Sequence, residues 1–257
     1  MQHIKTMAAI MIVLICAASC KKEHINNPAP APQSMATKKM TQYTWVFDSG
    51  EPQPTFYEYD QSGRLKTQKT AARLTSFDYV ATDKLIITEK KTTNNSLIGT
   101  YECTLNDKGA ITIMLFKNVS NIVEATHEMT YTPNGYLRKI REATSSSIYE
   151  EEFEIVNDIP VSSKVYYDGV LYNNRQYFYD ETKPNIMPFS QWYDWPSKTL
   201  FGNIYKYNLA EYKSFKADGT IDWHTKIKYE SDADGFTIKH TTDFVHIGKK
   251  GVGTYVY

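Results

Sequence analysis

From Met40 onward, apolar and polar residues alternate in short runs broken by Asp, Asn, Ser and Gly. Tyr57-Glu58-Tyr59 falls into Asp60-Gln61-Ser62-Gly63 and leaves through Arg64-Leu65, and the same outline returns along the chain. It reads "FDYVATDKL" at 77, "YECTLNDKGAI" at 101, "MTYTPNGYL" at 129, "FEIVNDIPV" at 153, "SFKADGTI" at 214 and "IKYESDADGF" at 227. In the first five copies the residue before the turn is Tyr59, Tyr79, Leu105, Tyr131 and Ile155. An aliphatic residue follows six positions later, at Leu65, Leu85, Ile111, Leu137 and Val161, and Phe215 with Ile221 repeats the spacing. A self-similarity of this kind marks a repeated supersecondary unit.

The unit has the chemistry of a hairpin. Asp, Asn and Gly accept the backbone conformations of tight turns, and period-two alternation sends neighbouring side chains to opposite faces of a strand. One face collects Tyr57, Tyr59, Tyr101, Cys103, Leu105, Met129, Tyr131, Phe153, Ile155, Tyr177, Tyr179, Tyr205, Tyr207, Ile227 and Tyr229; the other collects Glu58, Glu102, Glu128, Glu154, Lys206 and Lys228. An isolated hairpin is marginal in water, so the copies are expected to pair side by side with one buried and one wet face. No long window holds apolar residues at helical spacing. The prediction is all-β: a single antiparallel up-and-down meander of about 10–16 strands over residues 40–257, curled or barrel-like because long open sheets leave adhesive edges, with little helix.

The N-terminal residues read differently. Lys5 precedes an uncharged run from Met7 to Ser19, thirteen residues long and too short to cross a bilayer core that takes about 20. "AASCKKE" at 17–23 resembles the lipobox of bacterial lipoproteins, which implies a signal peptide over 1–19 and lipidation of Cys20. A plain cleaved signal, giving a soluble exported protein, is the other reading. Residues 20–39, rich in Pro, Ala and Asn, read as a flexible spacer. With Cys16 and Cys20 so assigned, Cys103 has no disulfide partner and is expected to be a small buried apolar residue. The 29 basic and 29 acidic residues cancel, so no net field recruits nucleic acid.

Two resemblances follow. The "YxYDxxGRL" form resembles the tyrosine-aspartate repeats of Rhs-type wrapping proteins in its first two copies. The chain more closely resembles a family of Bacteroidetes lipoproteins of unknown function with a porin-like antiparallel meander. That likeness rests on the cysteine at 20, the spaced hairpins, and "YFYDETKPNIMPF" from Tyr177 to Phe189. It implies a fold and an outer-membrane lipoprotein address in the cell envelope, on its periplasmic or surface side, and no catalytic residues.

Candidate chemistry is sparse. Residues 183–200, "KPNIMPFSQWYDWPSKTL", break the meander and carry Phe189, Trp192, Tyr193 and Trp195. Such a loop either plugs one end of the core or forms a platform for a glycan or an envelope protein. His224, His240 and His246, with Asp222 and Asp243, match no zinc spacing and read as scattered surface residues rather than a metal site. Glu150, Glu151, Glu152 and Glu154 offer paired carboxylates of the kind glycoside hydrolysis needs, but on a strand they suit a solvated face. A membrane-spanning barrel needs an uncharged outward band, which segments such as "ITEKKTTNN" at 87 interrupt. The expectation is a lipid-anchored, monomeric, non-enzymatic protein with a binding or structural role and no cofactor or metal. A glycan-processing enzyme using strand carboxylates is the alternative.

Overall fold

The computed structural model describes residues 38–185, Trp195, Ser197 and 199–257. Sixteen strands follow one another: β1 (Gln42–Phe47), β2 (Gln53–Tyr59), β3 (Leu65–Lys69), β4 (Arg73–Ala81) and β5 (Lys84–Lys91) come first. Next are β6 (Leu97–Leu105), β7 (Ile111–Asn118), β8 (Val123–Tyr131), β9 (Leu137–Thr144), β10 (Ile148–Val156) and β11 (Ile159–Tyr167). The last are β12 (Val170–Pro184), β13 (Tyr207–Lys216), β14 (Ile221–Ser231), β15 (Thr237–Phe244) and β16 (Lys249–Val256). Each pairs antiparallel with the next, and β1 pairs with β16 from Gln42↔Val256 to Phe47↔Gly251. The meander therefore closes into a sixteen-stranded up-and-down barrel, with no helix among the described residues. Closure removes both free edges.

The connections after even-numbered strands, together with Met40 and the C-terminal end of β16, lie at one rim, here the lower rim. Those after odd-numbered strands lie at the upper rim. Four lower turns share one geometry. Gly63, Gly109, Gly135 and Gly235 sit at φ 82°, 78°, 86° and 88°, each donating its N–H to the carbonyl three residues earlier. The side chains of Asp60, Asn106, Thr132 and Asp232 accept the N–H four residues on. A left-handed residue flanked by an Asx- or Thr-type bond is what an Asp-, Asn- or Thr-x-x-Gly sequence supplies.

Tyrosines finish the unit. Tyr59, Tyr131, Tyr229 and Tyr257 donate their hydroxyls to the carbonyls of Met40, Ile111, Leu209 and Thr237 at 2.9, 2.5, 2.9 and 2.9 Å. Each bond joins the lower ends of two strands whose connecting loop lies at the upper rim. Leu65, Leu85, Ile111 and Leu137 belong to the core cluster, with at most 3% of their surface exposed, each worth about 1.5–3 kcal/mol of burial.

Two repeat assignments are corrected. Val161 is exposed and Pro160 is buried in its place, because the turn at Asn157–Asp158 is short and the register shifts at Glu154/Ile155. Ile221 is also exposed; its turn, 217–220, stands at the upper rim and is not a copy of the lower ones. Tyr205 precedes β13 and stacks on Tyr136 at 6.1 Å, instead of taking a place in the inner ladder.

Candidate functional site

Among the described residues, the barrel's lower rim is filled, and aromatic side chains at its upper rim keep part of their surface in solvent. Leu200 and Phe201 are buried at the lower rim, where the Leu200 carbonyl accepts the Ile111 N–H at 2.9 Å. Asn203 donates to the carbonyls of Gly135 and Asn134 at 2.8 and 2.6 Å. Trp195, 4% exposed, reaches the barrel's middle and meets Phe77, Tyr101 and Phe201 at ring separations of 5.3, 6.1 and 5.8 Å. It stands in the core, where a plug would put it, and not on an outer platform. Phe189, Trp192 and Tyr193 lie outside the described residues.

Toward the upper rim the inward side chains become polar, aromatic and wet. Tyr167, Trp223 and Phe47 share faces with inward residues of neighbouring strands yet stay 44%, 39% and 38% exposed. Three ion pairs line this half: Arg73 to Glu89 at 2.9 Å, His127 to Glu142 at 3.6 Å and Arg175 to Glu151 at 2.5 Å. Burial drives the His127 pKa down, opposed by Glu142. The Tyr101 hydroxyl is pushed up to about 12, by burial first and then by Glu89. The result is a cup: an apolar floor and a mouth of tyrosine, tryptophan and paired charge.

Glu151 is the most enclosed member, with no exposed surface. It accepts hydrogen bonds from Tyr149 (2.6 Å), Ser163 (2.5 Å), Arg175 (2.5 Å) and Tyr177 (3.0 Å). Four donors satisfy both oxygens of a buried carboxylate. Its neighbours Glu150, Glu152 and Glu154 point outward: Lys139 sits 2.9 Å from both Glu150 and Glu152, and Ser162 donates to Glu154 at 2.7 Å. The strand's alternation thus divides the acidic run between two sides of the wall, so its members do not face one another across a cleft.

The histidines part in the same way, and the surface reading is corrected for one of them. His240 points inward over Gly253, stacks on Trp45 at 5.4 Å, shares a hydrogen bond with the Tyr255 hydroxyl at 2.5 Å, and is held down near pKa 4 by burial. His224 points outward to Glu211 at 2.8 Å, and His246 lies in the turn after β15, 3.7 Å from the Trp223 ring. Among the described residues no three His, Cys, Asp or Glu side chains gather as a metal site would require. Cys103 is buried, and burial raises its thiol pKa to about 12, leaving it a poor nucleophile.

The cup itself was not read from sequence. Its residues come from β1, β4, β5 and β8–β15, and only closure brings these together. The signal that was present is a polar or charged residue at an inward position, such as Glu89, His127, Glu151 or Arg175.

Comparison with known proteins supplies a fold. The crystal structure of a porin-like protein from Bacteroides uniformis ATCC 8492 superposes with a TM-score of 0.62, at 16% identity, over 88% of this chain and 99% of that one. A porin-like protein from Bacteroides vulgatus ATCC 8482 gives a TM-score of 0.60 at 10% identity, over 85% and 98%. No protein-family model and no curated protein matches the chain.

Proposed function

We propose that the chain is a lipid-anchored cell-envelope protein, monomeric and non-enzymatic, whose barrel stands outside the bilayer and serves a binding or structural role. The observation that carries this is the polarity of the wall. A barrel that spans a membrane turns an apolar band about 25 Å tall outward and keeps its interior polar. Here the buried apolar core is inside, and the outward positions hold ion pairs along the wall: Lys117 to Glu102 at 2.7 Å, Lys139 to Glu150 and Glu152, Arg141 to Glu128 at 3.4 Å, Lys213 to Glu211 at 3.0 Å and Lys239 to Glu230 at 2.7 Å. Each outward Lys or Arg at the bilayer midplane costs about 2–4 kcal/mol, and several exceed what the scattered outer apolar residues return.

An anchor is then what would hold such a barrel at a membrane, and Cys20 is the residue the sequence offers for it. More than one acyl chain on that cysteine gives stable attachment. The chain enters the barrel at the lower rim, where the Lys38 ammonium meets Asp232 and Asp234 at 3.0 and 2.6 Å and Lys39 lies over the Tyr59 ring.

The test pairs labelling with electrophysiology. Radiolabelled palmitate is expected on the wild-type protein and absent from Cys20→Ala, and purified protein added to planar bilayers is expected to give no conductance steps. Label that survives Cys20→Ala overturns the anchor; stepwise conductance overturns the placement outside the bilayer.

A further inference from the structure

Strands β2 to β5 carry a groove on the outer wall, toward the upper rim. Tyr57, Gln68, Thr75 and Glu89 form one buried cross-strand row, so the adjacent row of Phe56, Lys69 and Leu74 points outward. On the next outward row the Thr67 hydroxyl donates to the Glu58 carboxylate at 3.1 Å. On the far side the β5–β6 turn leans over the β3–β4 hairpin: Thr92 donates its N–H to the Ala72 carbonyl at 3.0 Å and its hydroxyl to the Thr70 carbonyl at 3.3 Å. Asn95, at φ 57°, closes that turn by donating its N–H to the Lys91 carbonyl at 2.9 Å. Strands and turn enclose an open groove of about 440 Å³, a volume that suits a small molecule.

Its lining is apolar in the middle and charged at two corners. Three phenylalanines are exposed among the described residues. Phe47 packs on Phe244 and under the Lys249 ammonium, and Phe178 lies under Lys213, whereas Phe56, 46% exposed, has neither a ring nor a cation against it among the described residues. Leu74 is half-buried on the floor. Phe56 and Leu74 stand two strand spacings apart, about 10 Å, with the stem of Lys69 between them. Lys69 and Lys91 are exposed and form no ion pair among the described residues. Glu58, on β2, occupies the corner diagonal to Lys91.

We propose that this groove binds a small monocarboxylate with a hydrocarbon body, the body lying over Leu74 against the Phe56 ring and the carboxylate meeting the Lys69 and Lys91 ammoniums. Charge complementarity selects the head: two ammoniums without a carboxylate partner stand beside an apolar floor, and each ion pair formed there releases no bond within the protein. The span between Phe56 and the β5–β6 turn selects the body, since it takes an extended chain of the length of octanoate or a phenyl ring on a short linker. Glu58 selects against a second anionic group, because a dicarboxylate would set like charges together at that corner. The inference gives the binding role a ligand class and rests on the outer wall standing in water; it is independent of the lipid anchor.

The test is isothermal titration calorimetry on the full-length protein in a zwitterionic detergent, with protein-free micelles as the blank. Octanoate and phenylbutyrate are the probes; phenylbutanol, which lacks the charge, and suberate, which doubles it, are the controls. At least one probe is expected to bind with a Kd of about 1 mM or tighter, more weakly as salt rises. The double variant Lys69→Gln, Lys91→Gln is expected to weaken binding at least about tenfold with an unchanged melting temperature, because neither lysine holds a bond within the protein. Phe56→Ala is expected to weaken it as well, with the far-ultraviolet circular dichroism unchanged, and both controls to bind more weakly than the probes. No saturable heat above the micelle blank overturns the proposal. So does affinity that survives the lysine double variant, or phenylbutanol binding as tightly as phenylbutyrate, the result expected of an unselective apolar surface. Conductance steps in planar bilayers read the placement of the wall separately, so the two failures are distinguishable.

Discussion

Glu151 and Glu152 are adjacent in sequence and belong to different environments. The first gathers four donors inside the wall; the second faces solvent beside Lys139, its side chain 52% exposed. Removing one partner of a buried pair strands the other, so Glu151→Ala is expected to cost about 3–5 kcal/mol, whereas Glu152→Ala should cost less than about 1 kcal/mol. Thermal melts of the two variants check the contrast. His240 sets an acid limit. Its pKa falls from 6.5 free to about 4 in the fold, because burial disfavours the imidazolium. A depressed folded pKa means that the unfolded chain takes up the proton first. The contribution is therefore full above pH 6.5 and is lost as pH falls through 4, a swing of about 3 kcal/mol at 1.36 kcal/mol per unit. His127 shifts in the same direction. Melting temperature is expected to decline from pH 6.5 to 4, and less steeply in His240→Gln. None of this was legible from sequence, where His240 looked like one of several scattered histidines; burial and the Tyr255 hydroxyl are tertiary facts.

For strands and turns the reading from sequence went further. The recurring polar turns rich in Asp, Asn and Gly located four lower turns because turn chemistry is local. It missed the slip at Val161 because a shorter turn changes the count by one, and it placed Phe215–Ile221 with the lower turns because spacing carries no information about which rim a turn occupies. Tyrosine before the turn was recognised as inward, but not as a donor to a carbonyl about twenty residues back. Tyr131→Phe is expected to lose that bond at about 1 kcal/mol, seen as a lower melting temperature. Glycine in β16 has a second role. A Cβ on Gly251 would sit 2.2 Å from the Trp45 ring, and on Gly253 2.2 Å from His240, so both make room for rings crossing from neighbouring strands. Gly253→Ala is expected to destabilise by about 1–3 kcal/mol through overpacking. At Gly109 the φ is +78° but no atom lies within 4 Å of an added Cβ, so Gly109→Ala carries backbone strain alone, about 1–2 kcal/mol. Urea melts of both variants separate steric conflict from backbone strain.

At the scale of the whole molecule, alternation and repeat number bounded the architecture at 10–16 strands, and the upper bound was reached. Closure is a pairing between the two ends of the sheet, β1 with β16, and nothing in either strand advertises the other. The same pairing makes the barrel dependent on its last eight-residue strand. A chain ending before Lys249 leaves β1 and β15 with unpaired edges. It is expected to aggregate at micromolar concentration, with light scattering as the measure. The cup was illegible for a related reason: its floor and mouth are assembled from residues far apart in sequence.

The tyrosine bonds have a consequence for how such a chain is copied. Tyr59, Tyr131, Tyr229 and Tyr257 each lock two consecutive strands to each other at the rim opposite their loop. Such a pair is secured at both ends from within. A gene segment encoding it carries a complete stave, so duplication or loss in whole pairs preserves the antiparallel circuit, while gain of a single strand would set like-directed ends side by side at the seam. The barrel's girth is therefore free to vary across generations in steps of two.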